Sequence, residues 1–163
     1  MQLEDIYSFK NQLITELLNT QSIVELIKDD TVSDAADLAY TQVFPYEYIP
    51  DEAKPAQTFI CFDIDMQKPI GKTFFTLTLN VWVFSHKSKL RLPDNSIRTD
   101  RLCSEICKKM HNIQKYRVKA FELESVKKFA PAAEYQGKVL SFNAKEFKRV
   151  SDIEKKIPGN RKE

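Results

Sequence analysis

An apolar residue occupies every second position between residues 75 and 83. The apolar positions are Phe75, Leu77, Leu79, Val81 and Val83, and the intervening ones are Thr76, Thr78, Asn80 and Trp82. Successive side chains of a strand point to opposite faces of a sheet, so this pattern predicts a strand with one core face and one partly exposed face. The stretch TFICFDID, residues 58–65, predicts a second strand with Ile60, Phe62 and Ile64 on one face. A fold of this chain must therefore bury one side of a sheet.

Helical spacing flanks these two predicted strands. Residues 3–28 place apolar residues mostly three and four positions apart, which predicts helix, and Thr20 can cap a second short helical segment. Further along, Thr99 or Asp100 can cap another helix. Its apolar stripe recurs at i, i+4, i+8 and i+11, as Leu102, Ile106, Met110 and Ile113. We therefore predict an interrupted N-terminal helix and one central helix.

Two more strands are predicted in KAFELESVKKFA, residues 119–130, and KVLSFNAKEFKRV, residues 138–150, joined as a wide hairpin around Pro131 to Gly137. Residues 43–57 contain three prolines, which predicts an extended connection because proline ends a helix. The order helix, strand, strand, helix, strand, strand is typical of an α+β fold. We predict a mainly antiparallel sheet of about four to five strands, packed against the N-terminal helix and the central helix.

Charge divides the chain into two parts. Residues 1–65 carry 13 acids and 3 bases, whereas residues 66–163 carry 22 bases and 10 acids. We predict a single domain over residues 1–150, on which these charges occupy two faces or ends, and a charge-balanced, mobile C-terminal tail over residues 151–163.

No stretch approaches the ~20 apolar residues of a spanning helix, and no signal-peptide pattern begins the chain, so we expect cytosolic synthesis and no membrane partner. The three cysteines fit reduced, mostly buried thiols.

The triplet Gly71-Lys72-Thr73 matches the end of a nucleotide-binding P-loop. A P-loop also needs a glycine five positions before the glycine of Gly-Lys and a helix after the threonine, because backbone N–H groups and the helix N-terminus hold the phosphates. Here the earlier position is Met66, and the residues that follow alternate as a strand. Both requirements fail, so no nucleotide cofactor is predicted.

Acidic residues on the predicted strands leave a metal-dependent nuclease as one alternative. Asp63 and Asp65 share a strand face, and Glu146 with Lys148 forms an E-x-K pattern. A nuclease could hold Mg²⁺ with such carboxylates if the fold brought them together. The same patterns are common on solvated strand faces, and we favour that interpretation.

Cys103, Cys107 and His111 lie at i, i+4 and i+8 on the predicted central helix. At 1.5 Å rise per residue the outer two are ~12 Å apart along the axis, whereas the ligands of one tetrahedral Zn²⁺ lie within about 4 Å of each other. We therefore predict thiols that flank the core, as free cysteines usually do. No metal site, no cofactor and no enzymatic activity are predicted.

Basic residues cluster between residues 87 and 119 and could contact phosphates. The cluster lacks the regular aromatic residues of a single-strand binder. A nucleic-acid-binding module is thus a second alternative, and a solvated or subunit-facing surface accounts for the same residues.

The order of elements over residues 1–150 resembles that of tailed-bacteriophage neck proteins, and most specifically the tail terminators, also called tail completion proteins. The resemblance rests on VFPYEYIP before TFICFDID, on the strand ending in VWVFSHKS, and on Arg98-x-Asp100 within IRTDRLCSEICKKM. It implies a structural virion protein that assembles, usually as a hexameric ring, on the last ring of the tail tube. Such a ring stops tail polymerisation, meets the capsid connector or stopper proteins, and leaves a lumen through which DNA passes without sequence reading. The neighbouring neck roles, connector adaptor or stopper, remain open.

A ring needs two different surfaces on each subunit. The charge asymmetry could supply them if the acidic region 29–52 of one subunit meets basic residues from 87–119 of the next. It could equally serve solubility alone. The candidate interface residues are Lys87, Lys89, Arg91, Arg98, Asp100, Asp29, Asp30, Asp34 and Asp37.

Overall fold

The computed structural model describes residues 3–68, 71, 75–113 and 121–145. Within these residues the three helices are α1 (Leu3–Leu18), α2 (Gln21–Ile27) and α3 (Arg98–Asn112). The five strands in the same described ranges are β1 (Val43–Phe44), β2 (Thr58–Gln67), β3 (Thr76–His86), β4 (Glu122–Ala132) and β5 (Tyr135–Lys145). Short 3-10 turns cover Ala35–Leu38 and Lys87–Lys89.

The strands form one sheet in the order β1-β2-β3-β5-β4. β1 pairs with β2 in parallel, and the other neighbours are antiparallel. In the long central pairing, Ile60 lies opposite Val83 and Phe62 opposite Val81, so the apolar residues of β2 and β3 share a face. The fold is therefore α+β with a mainly antiparallel sheet, as the sequence predicts.

The main core lies between the sheet and the helices. The alternation predicted for β3 is confirmed, since Leu77, Leu79, Val81 and Val83 are almost completely buried, while Phe75 precedes the strand and is half-buried. The helices contribute buried residues from α1 (Phe9, Leu13, Ile14, Leu17), α2 (Ile23, Val24, Leu26, Ile27) and α3 (Leu102, Cys103, Ile106, Met110). The predicted stripe of α3 is thus the contact of that helix with the sheet.

The opposite face of the sheet is less exposed than the sequence predicts. A second buried cluster there consists of Phe44, Phe59, Cys61, Phe84 and Tyr135. The proline-containing connection covers it, because the Tyr48 ring stacks on the Phe44 ring with centroids 4.0 Å apart. Aromatic packing of this kind adds to the free energy gained from area burial alone. The connection is therefore a packed layer of the fold.

The predicted helix caps are only partly correct. Thr20 precedes α2 in the N-cap position, but its hydroxyl donates to the carbonyl of Glu16 at 2.7 Å and caps nothing. The N-cap of α3 is Ile97, with no side-chain hydrogen bond. Thr99 instead lies inside the first turn and is 2% exposed, because that turn packs onto the body of the protein. At α2 the hydroxyl of the preceding threonine is used by the end of α1, and at α3 burial has overridden the capping preference.

The β4–β5 hairpin is tighter than predicted. Ala132 pairs with Tyr135, so the turn contains only Ala133 and Glu134. The pairing shifts register between Leu123 and Ser125, far from the turn, and again between Phe129 and Ala132, beside the turn. Such shifts indicate bulges. The predicted tail at 151–163, and the motif residues Lys72, Thr73, Glu146 and Lys148, lie outside the described residues.

Candidate interaction surfaces

A polar cleft of about 590 Å³ lies where the end of α2 meets residues 55–58 and residues 88–98. Five of the nine predicted interface residues line it. They are Asp29, Asp30, Lys89, Arg91 and Arg98. We call it the charged cleft, because acids and bases from distant parts of the sequence meet there within one chain.

Asp29 and Lys89 form an ion pair inside this cleft. The ammonium of Lys89 lies 2.7 Å from Oδ1 of Asp29, and the Gln57 amide donates to Oδ2 at 3.2 Å. The Asp29 side chain is only 17% exposed. A pair already satisfied within the chain offers less charge to a neighbouring subunit, so other residues would have to carry most of the predicted contact between acidic and basic regions.

Arg98 joins the end of α2 to the loop before α3. Its guanidinium donates to the carbonyl of Leu26 at 2.5 Å and to the carbonyl of Lys89 at 2.7 Å. Burial lowers the pKa of Arg98, and the charge of Asp29 opposes that shift. The last carbonyls of a helix lack intrahelical donors, and a cation there also meets the negative end of the helix dipole. Arg98 therefore supports the fold of its own chain.

The other predicted interface residues are spread over the surface. Lys87, Asp34 and Asp37 are exposed, and Asp34 accepts a hydrogen bond from the backbone of Ala36 at 3.1 Å. Asp100 is exposed on the first turn of α3 and lines a different depression. The structure thus brings five of the nine residues together and leaves the other four outside the charged cleft.

Three exposed apolar side chains flank the short strand β1 in the sequence. Tyr40, Tyr46 and Ile49 are 55%, 46% and 70% exposed. Tyr40 has a φ of 61°, in the left-handed region that a bulky residue rarely adopts. Its amide donates to the carbonyl of Val43 at 2.8 Å, and the Tyr46 ring lies 5.6 Å from the Phe44 ring. We call these three residues the β1 patch.

A second apolar surface lies towards the other edge of the sheet, between the start of α3 and the β4–β5 hairpin. Its volume is about 540 Å³. The apolar lining comprises Leu90, Ile97, Phe129, Ala130 and Gly137, with Lys128, Lys138, Asp100, Thr99 and Gln136 around them. We call it the hairpin groove. Sheet order places β1 at one edge and β4 with β5 at the other, so the two surfaces lie towards opposite edges.

Comparison with known families decides the assignment. The model of the YomW family matches residues 11–144, which include nearly all of the described helices and strands. The chain belongs to the YomW family. This family name is a Bacillus phage SPBc2-type protein name, and the chain is a phage-associated protein. Searches among curated proteins and among solved structures gave no significant match.

Of the three acids considered for a nuclease, Asp63 has partners within the chain. Asp63 forms an ion pair with Lys10 of α1 at 2.6 Å, and its Oδ1 accepts from the amide of Ile64 at 2.8 Å. Asp65 is exposed near the end of β2, and Glu146 lies outside the described residues. Within residues 3–68, 71, 75–113 and 121–145, no three His, Cys, Asp or Glu residues are grouped as metal ligands would be.

The thiols flank the core, as predicted. Cys103 belongs to the helix-side core and Cys107 packs against it, while Cys61 belongs to the second cluster. Burial raises the pKa of Cys61 and of Cys103 to about 12, and it also raises the pKa of Cys107. A thiol is nucleophilic only as its thiolate. These cysteines are therefore suited to packing.

In the part of the chain that the structure describes, no helix is long and apolar enough to span a bilayer.

Sequence reasoning missed both apolar surfaces. The signal for the β1 patch is the segment FPYEYIP, in which aromatic and aliphatic residues stand between prolines. Those residues match neither a helical nor a strand period, so pattern analysis assigns them to a connection and leaves them out of the core. The hairpin groove carries no local signal, because Leu90, Ile97 and Phe129 come from segments that only the fold brings together.

Replacing Arg98 with alanine is expected to lower the free energy of unfolding by about 1.5–3 kcal/mol, the range for hydrogen bonds to charged groups. Urea unfolding followed by circular dichroism measures this loss. The matched control is Arg101→Ala, since Arg101 pairs with Asp94 at 3.2 Å and both side chains are more than half exposed. That change should cost less than about 1 kcal/mol. Equal losses for the two variants would show that Arg98 does not hold α2 in place.

Proposed function

We propose that this YomW-family chain is a structural virion protein of the phage neck, forming a ring that caps the tail tube and joins it to the capsid connector. The ring is expected to be a hexamer. Its partners are further copies of the chain, the tail-tube protein, and the connector or stopper proteins. DNA passes through the lumen without specific contacts. The function is assembly and not catalysis, and the mature protein is located in the neck of the virion.

The proposal is carried by two unlike exposed surfaces towards opposite edges of one sheet, in a chain that belongs to a phage-associated family. A ring forms when one surface of a subunit binds a different surface of the next and the rotation closes. Exposed apolar groups rimmed by polar residues commonly mark such contacts. The α+β fold is also the one that the resemblance to tail terminators implies.

The intrachain contacts bear on the alternative functions. Asp63 of the nuclease alternative already contacts Lys10, and in the charged cleft Lys89 and Arg98 are engaged by Asp29 and by backbone carbonyls. Cations that are held in this way are less free to neutralise phosphates, and so they displace fewer of the counterions condensed on a nucleic acid. These contacts favour an assembly role over nucleic-acid chemistry. Connector adaptor and stopper are the alternative roles in the same neck.

Native mass spectrometry and negative-stain electron microscopy of the purified chain test this proposal, with and without the tail-tube protein encoded in the same genome. We expect one closed stoichiometry, rings with a central opening, and rings at the ends of tubes in the mixture. Absence of rings in both samples would overturn the proposal. Mg²⁺-dependent DNA cleavage would then support the nuclease, and DNA binding with a steep salt dependence would support the nucleic-acid-binding module.

A further inference from the structure

We propose that the β1 patch of one copy binds in the hairpin groove of the next copy. This inference rests on the proposed ring and identifies the two surfaces that form it. The occupant of the groove is thus Tyr46 and Ile49 of a second copy of the same chain.

Position in the sheet supports this pairing. β1 is the strand at one edge, and the hairpin groove is formed with β4 and β5 at the other edge. A contact between opposite edges of two molecules leaves one free patch and one free groove, so it continues from copy to copy. Every patch and every groove is occupied only in a closed ring, in which the last copy binds the first. A contact of one surface with itself would instead stop at a dimer.

Charge around the two surfaces is complementary. Exposed Glu47 and Asp51 flank Ile49 in the sequence. Lys128 and Lys138 lie at the groove, and Asp100 also lines it at the start of α3. Opposite charges around an apolar contact set its register and disfavour wrong partners. The side of the groove that carries Lys128 and Lys138 should therefore face Glu47 and Asp51 beside the β1 patch.

The segment that carries the β1 patch is held in place before any partner binds. Pro45 and Pro50 restrict the backbone on both sides of Tyr46 and Ile49, and Tyr48 stacks on Phe44 with an angle of 9° between the rings. Little conformational entropy is then lost when the exposed side chains are buried. Tyrosine is also among the residues that most often dominate interface energies. The patch therefore has the properties of an interface anchor.

Pairing through the open edge of β4 is a weaker explanation for a ring. No strand in the described part of the chain pairs with the outer edge of β4. That strand carries Lys127, Lys128 and Pro131 and is interrupted by two register shifts. Charged residues, proline and bulges are the usual protection of an edge strand against pairing. The side chains of the groove, and not the β4 backbone, are therefore expected to make the contact.

Two single substitutions test the contact from its two sides. Ile49→Glu removes the anchor and leaves the groove intact, whereas Ile97→Glu blocks the groove and leaves the patch intact. Each should raise the dissociation constant between subunits at least ~30-fold, as the loss of an interface hot spot does. Tyr7→Glu is the matched control, because Tyr7 on α1 is 61% exposed and belongs to neither surface. Circular dichroism checks that the variants fold, and Ala130→Glu replaces Ile97→Glu if that variant does not.

Mixing the two defective variants gives the decisive measurement. The intact patch of Ile97→Glu can bind the intact groove of Ile49→Glu. This complex cannot add a third copy, because its remaining patch and its remaining groove are both defective. Native mass spectrometry of the mixture should therefore show a 1:1 dimer, while each variant alone stays monomeric. If the unchanged protein forms rings and both variants also do, the pairing proposed here is wrong and the ring survives. If the unchanged protein forms no ring alone or with tail-tube protein, the proposed function fails instead.

Discussion

Replacing Gly137 with alanine is expected to prevent the sheet from forming in its present register. A Cβ atom at this position would lie 1.8 Å from the carbonyl oxygen of Val83 and 2.7 Å from Cα of Phe84. Gly137 lies opposite Phe84 on one side and Phe129 on the other, so both neighbouring strands restrict its movement. We expect a loss above about 4 kcal/mol, which is exceptional for one substitution and close to the whole stability of many domains.

Gly71→Ala is the control for the Gly137 variant. Gly71 has a φ of 72°, but a Cβ there would meet no atom within 4 Å. Its cost is then limited to the left-handed backbone, about 1–2 kcal/mol. Urea unfolding and the soluble yield compare the two variants. A soluble Gly137→Ala protein with a similar midpoint to Gly71→Ala would contradict the close approach of β5 to β3.

The long central strands could be predicted because their local pattern and their burial agree. β3 alternates from Thr76 to Val83, and the side chains predicted for the core are the ones that the helices cover. The stripe of α3 succeeds for the same reason, since its period of about 3.6 matches a single buried face. Where a segment buries one face against one layer, its sequence period is enough to place it.

The β1 strand and the second aromatic cluster could not be predicted, because they depend on contacts with no period. β1 contains two residues, and Phe44 is buried by Tyr48 and Phe59. Prolines near these residues indicate correctly that no helix forms. They do not indicate that the connection folds back over the sheet. The caps failed in a related way, since Thr99 is buried by tertiary packing that a local capping preference does not include.

The charged cleft and the hairpin groove show the same contrast between what the sequence predicts and what only the fold reveals. Blocks of acid and base along the chain are visible in the sequence, but Asp29 and Lys89 are sixty residues apart, and only the fold shows that they pair within one chain. The apolar residues of the hairpin groove are likewise gathered from two separate segments. Residues whose role depends on a partner from elsewhere in the chain are thus the ones that sequence reasoning places least well.

Removing the side-chain amide of Gln42 should destabilise the protein by about 2–6 kcal/mol. Gln42 is 1% exposed, and its amide nitrogen donates to the carbonyls of Ile27 at 2.7 Å and Thr58 at 3.0 Å. One side chain thereby ties the end of α2 to the start of β2. Without it two buried carbonyls lose a donor, and each such loss costs about 1–3 kcal/mol. Thermal unfolding should shift by roughly 2–4 °C per kcal/mol for a chain of this size.

Two variants of Gln42 separate the lost hydrogen bonds from the lost volume. Gln42→Met keeps a side chain of similar length without an amide, whereas Gln42→Ala also leaves a cavity. If the unsatisfied carbonyls dominate, the two variants should lose similar amounts of free energy. Gln21→Ala is the control, because Gln21 is exposed and bonds only to Glu25 on its own helix, at 2.9 Å, in the described contacts. A Gln42→Met protein as stable as the Gln21→Ala protein would show that water or a backbone shift satisfies both carbonyls.

Because Gln42 directly precedes β1, Gln42→Met should also weaken ring formation, since it loosens the backbone that presents Tyr46 and Ile49.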